Sequence, residues 1–382
     1  MINSLSIENF KCFGRLRLDL RPLTLLTGYN GGGKSSFIQP VLLLSQALNG
    51  QARQDLPLNG PLARLGTVAD VVGRGSPMFD VYCDDSHVHW RFSAKAGTRG
   101  LTISSAEAEF VGSAPTRITW SKSLWPESSD QLRAPARQSE VFNSLRNLVA
   151  ISATRPGAMD VQPMPDAPSP VWGDVGVEGQ FASFWYDLLV DEELDPSLRV
   201  PEERGATMRM QVDAYLSRLF AGAQANVTAI PQASAYALRY RLGDGDWRRP
   251  ANIGYGLTYA FPIIVALLAA KPGQLIVIDS PEAHLHPSAQ SQMGALLAKI
   301  GNSGVQLLVE THSDHLLNGV RLSVKNGEIG SEDVAVHFFA GAGPDGHGVT
   351  SPRIGPDGNI SDWPAGFFDQ NEVDLARLAG WA

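Results

Sequence analysis

The sequence predicts an α/β protein built on parallel strands, on the strength of three observations. First, helical and strand patterns alternate from residue 257 onward: helix 257–270, strand 274–279, helix 287–300, strand 304–309, helix 314–325, strand 333–339. Alternation of this kind sets strands side by side in parallel with helices as crossovers. Second, a glycine cluster at 28–33 separates the apolar run Leu23 to Leu26 from a helical pattern over Lys34 to Leu48. Third, 43% of the 382 residues are hydrophobic and only 18% charged, with 38 glycines and 25 prolines. That balance excludes disordered, coiled-coil and collagen-like classes and suits a folded protein rich in turns.

Along the chain, residues 2–28 read as three short strands, with alternation in Leu5-Ser6-Ile7-Glu8 and in Leu16-Arg17-Leu18-Asp19-Leu20. Residues 78–120 continue as a β-rich stretch, and 121–140, rich in Ser, Pro and Arg, read as a loop. Five prolines interrupt 156–170, helical periods run from 178 to 222, and Val227 to Leu242 returns to strand alternation. The simplest organisation is an N-terminal part over 1–120 with a β-subdomain, an inserted loop-rich and mostly helical lobe over 121–224, and a C-terminal part over 225–382 that completes the first. No internal repeat and no sustained heptad run occurs.

The net charge of −8 is the wrong sign for a surface that attracts nucleic-acid phosphate as a whole. Local clusters at Arg239-Tyr240-Arg241 and Trp247-Arg248-Arg249 read either as a nucleic-acid contact or as solvated strand faces. Two cysteines, Cys12 and Cys83, make neither a disulfide framework nor a cysteine zinc site. The opening lacks the apolar run of a signal peptide. The longest apolar stretch, Tyr259 to Ala270, has 12 residues against the ~20 of a spanning helix. These features lead to the expectation of a cytoplasmic protein without membrane contact.

Gly28-Tyr29-Asn30-Gly31-Gly32-Gly33-Lys34-Ser35 matches the phosphate-binding pattern G-x-x-x-x-G-K-[ST] in full. Placed between a strand and a helix, its backbone N–H groups and the positive helix end converge where a triphosphate lies. Asn30, Gly31, Gly32, Gly33, Lys34, Ser35 and Ser36 are therefore the candidate nucleotide contacts. Lys34 is expected on the β- and γ-phosphates, and the Ser35 hydroxyl on Mg²⁺.

Leu275-Ile276-Val277-Ile278 is a buried-strand pattern that ends in Asp279, taken as the Mg²⁺-holding carboxylate at the end of a strand beside the phosphate-loop strand. Another apolar strand, Val305 to Val309, runs into Glu310-Thr311-His312-Ser313-Asp314-His315. His312 is positioned to meet a γ-phosphate or the attacking water, its ring held by Thr311 and Ser313. A rival reading makes Asp279, His284, His286, His312 and His315 a transition-metal site. For His284, His286 and His315, a satisfied turn residue is the simpler reading. A third element, Asn252-Ile253-Gly254-Tyr255-Gly256-Leu257-Thr258, opens the helix toward Ala270 as a second anion-binding end. One γ-phosphate has no use for two such ends in one subunit, but two subunits arranged head to tail do.

This set resembles the ABC-type ATPases of the RecF, SMC and OLD (overcoming lysogenization defect) group. The resemblance covers most of the chain: Leu5-Ser6-Ile7-Glu8-Asn9-Phe10-Lys11-Cys12-Phe13, the phosphate loop, the glycine segment, Pro281-Glu282-Ala283-His284-Leu285-His286-Pro287 and Thr311-His312-Ser313-Asp314-His315. It is similar above all to a bacterial subfamily of ATPases with a C-terminal domain of unknown function. Segments shared with that subfamily include Ile151-Ser152-Ala153-Thr154-Arg155, Gly176-Val177-Glu178-Gly179 and the ending from Asp362 to Gln370.

The resemblance implies a P-loop NTPase fold of the ABC-type head, with a mixed sheet core, and ATP and Mg²⁺ as cofactors. It also implies a nucleotide-sandwich homodimer. Lys34 and Ser35 then carry the phosphate and metal roles, Asp279 the Walker B role, His312 the switch role, and Gly254, Gly256 and Thr258 the signature presented to the partner's nucleotide. Two departures stand out. The glycine segment lacks the Leu-Ser-Gly-Gly order, and Ser280 occupies the place of the glutamate that polarises water. Glu282 becomes the candidate base, because in an extended segment it shares a face with Ser280. The expected function is ATP hydrolysis that switches a partner, such as a separately encoded nuclease, or a DNA-directed activity, in anti-phage defence or DNA maintenance. The other readings are a nucleotide-gated scaffold with little hydrolysis and a small-molecule kinase. No paired-carboxylate motif of a nuclease follows Ala335.

Overall fold

Leu275 to Ile278 is apolar at every position because both faces of its strand are covered. Ile276 and Ile278 pack into one core, and Leu275 and Val277 into the other. The computed structural model describes residues 1–50, 54–73, 75–95, 97–111, 116–121, 123–126, 139–155, 157–165, 171–343, 346–361, 363, 366 and 370–380. Most of the loop read over 121–140 lies outside the described residues. So do Pro156 and 166–170 of the proline-rich break, and Asp362, Pro364, Ala365 and Phe367 to Asp369 of the family-like ending.

The strands are β1 (Ile2–Phe10), β2 (Phe13–Asp19), β3 (Leu23–Gly28), β4 (Asp55–Pro57), β5 (Met78–Cys83), β6 (Ser86–Ser93), β7 (Gly100–Phe110), β8 (Thr116–Trp120), β9 (Val149–Ile151), β10 (Val161–Pro163), β11 (Ala223–Ile230), β12 (Ala235–Leu242), β13 (Leu275–Asp279), β14 (Gln306–Glu310), β15 (Val334–Gly343) and β16 (Gly346–Thr350). The helices of seven or more residues are α1 (Lys34–Asn49), α2 (Glu140–Arg146), α3 (Ala182–Leu189), α4 (Met208–Leu219), α5 (Tyr255–Ala269), α6 (Pro287–Gly301), α7 (Asp314–Lys325) and α8 (Gln370–Leu378).

The central sheet has the order β16-β15-β3-β14-β13-β9, parallel except for β16. It is thus mixed, as expected. An antiparallel sheet, β2-β1-β5-β6-β7-β4 with β8 on β7, shares the core on the α1 face. Helices α5, α6 and α7 cover the opposite face. Gln306 ties the two sheets by accepting from the Ile2 N–H at 2.9 Å and donating to the Ile2 carbonyl at 2.7 Å.

Two findings refine the sequence reading. β14, rather than β13, is the neighbour of β3, so the strand ending in Asp279 lies one place away from the phosphate loop. The apolar runs of β13 and β14 are interchangeable as buried strands, and periodicity carries no information on their order. In addition, Val149 to Ile151, inside the stretch read as an insertion, joins the central sheet by pairing with β13. The two arginine clusters meet where Tyr240 pairs with Arg248, and the Arg241 guanidinium lies 4.7 Å from the centre of the Trp247 ring.

α6 and α7 cross at glycines. A Cβ on Gly319 would lie 2.0 Å from the Ser291 carbonyl oxygen, and one on Gly294 2.2 Å from that of Leu316. Backbone cannot yield there as a flexible side chain would. Gly319→Ala is therefore expected to lower the melting temperature by several degrees: overpacking costs about 1–3 kcal/mol and outweighs the roughly 1 kcal/mol gained in helix propensity. An unchanged or raised melting temperature would show that the helices can separate freely.

Candidate nucleotide site

β3 ends in Gly28 with φ 120°, and a side chain there would meet the Phe339 backbone of β15 at 2.3 Å. Gly33, with φ 107°, lies over the Phe13 ring and opens α1. These two glycines let the loop turn back tightly between β15 and the β1–β2 connection. A cleft of about 330 Å³ results, lined by Lys11, Cys12, Asn30, Gly31, Gly32, Gly33, Lys34, Ser35, Ser36, Glu310 and His312. A more voluminous groove, about 600 Å³ between α4, α6 and α7, contains none of the predicted site residues. The smaller cleft is the chemical one, since a helix N-terminus, loop N–H groups and a lysine converge on it.

Lys34 is buried, and its ammonium donates to the Gly28 and Tyr29 carbonyls, each at 3.0 Å. Glu310 stands 4.0 Å from that ammonium and accepts the Ser35 hydroxyl at 2.9 Å. Sequence reasoning noted Glu310 only as a strand end. Its signal was a carboxylate closing the all-apolar Leu307-Leu308-Val309, a position that a buried sheet tolerates only at its rim. Asp279 accepts from the Ser280 hydroxyl at 2.8 Å. Asp279, Glu282 and Glu310 all act electrostatically on Lys34, whose pKa burial nonetheless lowers.

Glu310 thus stands nearest the ammonium, and Asp279 and Glu282 act on it electrostatically from farther away. Burial first, then the charge of Asp279, pushes Glu310 up to about 7, against the opposing pull of Ser35 and Lys34. Burial likewise raises Glu282 and lowers His312, the latter with help from Lys34. Ser35, Asp279 and Glu310 offer hard oxygen atoms beside an excess of negative charge, a donor set that fits Mg²⁺. Among the described residues no three His, Cys, Asp or Glu side chains could hold a metal by themselves.

The Glu310 shift has a testable sign. Its carboxyl ordinarily titrates near 4.5 and here near 7. Between those values the unfolded chain releases the proton first, so stability falls as pH rises, by about 3 kcal/mol in all. Nucleotide-free Glu310→Gln is expected to melt above the wild type at pH 8, with the difference closing toward pH 5. A difference that does not vary with pH contradicts the assignment.

Glu282 reaches the sheet edge by another route than the one expected. The segment is not extended: Ser280 adopts φ 49°, the Ala283 N–H donates to the Ser280 carbonyl at 3.2 Å, and a turn follows. From that turn Glu282 Oε1 accepts the His312 N–H at 2.7 Å, while Oε2 is buried without a hydrogen-bond partner. The His312 side chain is exposed. Thr311 and Ser313 do not hold its ring. Thr311 Oγ1 accepts the Ser313 N–H, and Ser313 caps α7 and donates to Gln290. His284 packs edge-on to Tyr259 at 4.5 Å, and His286 caps α6. Both are turn residues, and the transition-metal alternative loses them.

The glycine segment does not line the cleft. Gly254 is exposed at the start of α5. Gly256 is buried, with no room for a Cβ between the His284 carbonyl and Phe220, and the Thr258 hydroxyl bonds back to the Tyr255 carbonyl at 2.7 Å. Sequence reasoning also passed over Lys11 and Cys12, which the tight β1–β2 connection brings to the loop, and Arg155, whose guanidinium holds the backbone at Asp279.

A glycine loop between a parallel strand and a helix, with carboxylates at the ends of the neighbouring strands, gives the chain the fold of a P-loop NTPase. Residues 4–146 match the family described as "AAA domain", and residues 189–318 match "AAA domain, putative AbiEii toxin, Type IV TA system". Residues 329–378 match "Protein of unknown function (DUF3696)". Each of the three matches covers less than half of the chain, and in chain order they give two ATPase-domain matches followed by a DUF3696 match. No curated protein matches it. Among solved structures it is similar to an Smc head domain with an extended coiled coil bound to the C-terminal domain of ScpA derived from Pyrococcus furiosus. Identity is 12%, the TM-score is 0.51, and 99% of each chain is covered. An SMC head domain from Thermotoga maritima is 13% identical with a TM-score of 0.40, covering 91% of this chain and 98% of that one. At such identity the first of these speaks for the fold alone. Among the described residues no helix is long and apolar enough to cross a membrane.

Proposed function

We propose that the chain is a Mg²⁺-dependent ATPase that cleaves the β–γ bond of ATP with water, and that head-to-tail dimerisation around ATP switches a partner's activity. The observation that carries this reading is a cleft lined by the glycine loop, Lys34, Ser35, Glu310 and His312, with Asp279 and Glu282, which are not among its lining residues, acting electrostatically on Lys34. Lys34 binds the phosphates. Ser35 and Asp279, with Glu310 behind Ser35, hold the ion, which when bound neutralises charge on the phosphate oxygens. Glu282 is anchored through Oε1, and its buried, unpartnered Oε2 is the candidate proton acceptor once the turn admits the attacking water. His312 faces the γ-phosphate. Gly254 with Asn252, exposed at the start of α5, is the part of the glycine segment offered to a second copy, while Gly256 and Thr258 hold that end of the helix in place.

The output belongs to an effector protein such as a separately encoded nuclease, or to DNA, in the cytoplasm and in anti-phage defence or DNA maintenance. Ser280 favours a second reading, a nucleotide-gated scaffold: its hydroxyl is engaged by Asp279 and is no base at neutral pH. ATP turnover with Mg²⁺, measured beside solution mass with and without ATP, separates the two. Turnover together with ATP-dependent doubling of mass supports the switch. Doubling without turnover supports the scaffold, and absence of ATP binding overturns both.

A further inference from the structure

Arg155 follows β9 in a segment that the nucleotide chemistry described above does not use. Its side chain is buried, at 3% exposure, and among the described residues no carboxylate bonds to it. Instead Nη1 donates to the carbonyls of Ser152 at 3.0 Å and Asp279 at 3.1 Å, and Nη2 donates to that of Ser280 at 2.7 Å. A buried guanidinium spent on backbone oxygens is costly to keep unless the backbone it holds needs holding. That backbone is unusual: Ser280 is left-handed without being glycine, and its N–H donates to the Glu310 carbonyl at 2.8 Å. The Asp279–Ser280 junction is thus fastened on one side by β14 and on the other by Arg155. The guanidinium also lies 5.1 Å from the centre of the Tyr259 ring on α5, and the same ring meets His284 just beyond the turn.

We infer that Arg155 is a positioning residue that sets the Asp279–Glu282 turn, and that Tyr259 couples this setting to the N-terminal end of α5. A planar fork can span two successive carbonyls and stack on a ring at once, which the point charge of a lysine cannot do. The start of α5, where the exposed Gly254 lies, and the turn that carries the metal carboxylate and the candidate base then move as one unit. The inference rests on the ATPase reading for its kinetic consequences but not for its geometry.

The test uses the full chain with Arg155→Lys, Tyr259→Leu and Tyr259→Phe. It measures melting temperature, equilibrium binding of a fluorescent ATP analogue with and without Mg²⁺, and turnover. Arg155→Lys is expected to lower kcat about 10- to 100-fold, as misplaced catalytic geometry does. Mg²⁺-free nucleotide binding should stay within about threefold, because the phosphate loop is untouched, while the tightening of binding by Mg²⁺ shrinks. Tyr259→Leu should act in the same direction and Tyr259→Phe, which keeps the ring, should not. The double variant Arg155→Lys with Tyr259→Leu should be little worse than either alone. Wild-type kcat and wild-type Mg²⁺ dependence in Arg155→Lys overturn the inference. So does a parallel loss of Mg²⁺-free binding and melting temperature, which would make the residue merely structural. If the wild type does not turn over ATP, the ATPase reading falls, and the Mg²⁺ titration of binding alone judges Arg155.

Discussion

Lys34→Ala is expected to weaken ATP binding about a hundredfold and to remove ATP-dependent dimerisation with it. The ammonium reaches across the loop to the Gly28 and Tyr29 carbonyls, at the center of the cleft rim. Loss of a charge-assisted hydrogen bond to phosphate costs about 1.5–3 kcal/mol, and roughly 3 kcal/mol corresponds to a hundredfold in affinity. Asp279, Glu282 and Glu310 also lose a cation that interacts with all three. Their mutual repulsion would then oppose the arrival of more negative phosphate. Titration of a fluorescent ATP analogue checks this, and an affinity within twofold of the wild type would place the phosphates elsewhere.

Glu282→Gln is expected to reduce kcat by about 10² to 10⁴, the range for a positioned general base, with ATP binding nearly unchanged. The substitution keeps the shape and keeps an oxygen for the His312 N–H, so the turn should hold. What it removes is the basicity of Oε2, the carboxylate oxygen without a partner. Burial raises the pKa of Glu282, which strengthens it as a proton acceptor while it remains ionised. Because the group must be deprotonated to act, the wild-type rate should rise with pH through that raised pKa and then level off. ATP-bound dimers should accumulate in the variant. If the wild type and Glu282→Gln hydrolyse ATP equally slowly, the base is absent from this chain and the scaffold reading stands.

Much of this site was legible before any fold was known, for a local reason. The loop from Gly28 to Ser35 is contiguous, and its glycines, lysine and serine do their work within one strand–turn–helix. The same holds for the apolar runs ending in Asp279 and Glu310, because a carboxylate that closes a buried strand belongs at the sheet rim. Legibility stopped where a residue's role depends on a neighbour distant in sequence. Glu310 became a site residue only when β14 settled next to β3, 275 residues from Ser35 in sequence. Arg155 acquired its role through a contact with Ser280, 125 residues away. The extended path assumed for Glu282 failed at Ser280, since a left-handed serine has no distinctive sequence signal and is held there by partners on other strands.

By itself, then, the sequence determined the class of fold, the phosphate loop and the identity of the acidic strand ends, all of which follow from local periodicity and from residue types that few backbones accept. Only the tertiary structure decided that β14 lies between β3 and β13, that Ser35 meets Glu310, and that Gly256 and Thr258 are packed within α5's surroundings while Gly254 stays exposed. Strand order and side-chain partnership depend on which apolar faces pack together, and many sequences of equal hydrophobicity leave that choice open until the whole core closes.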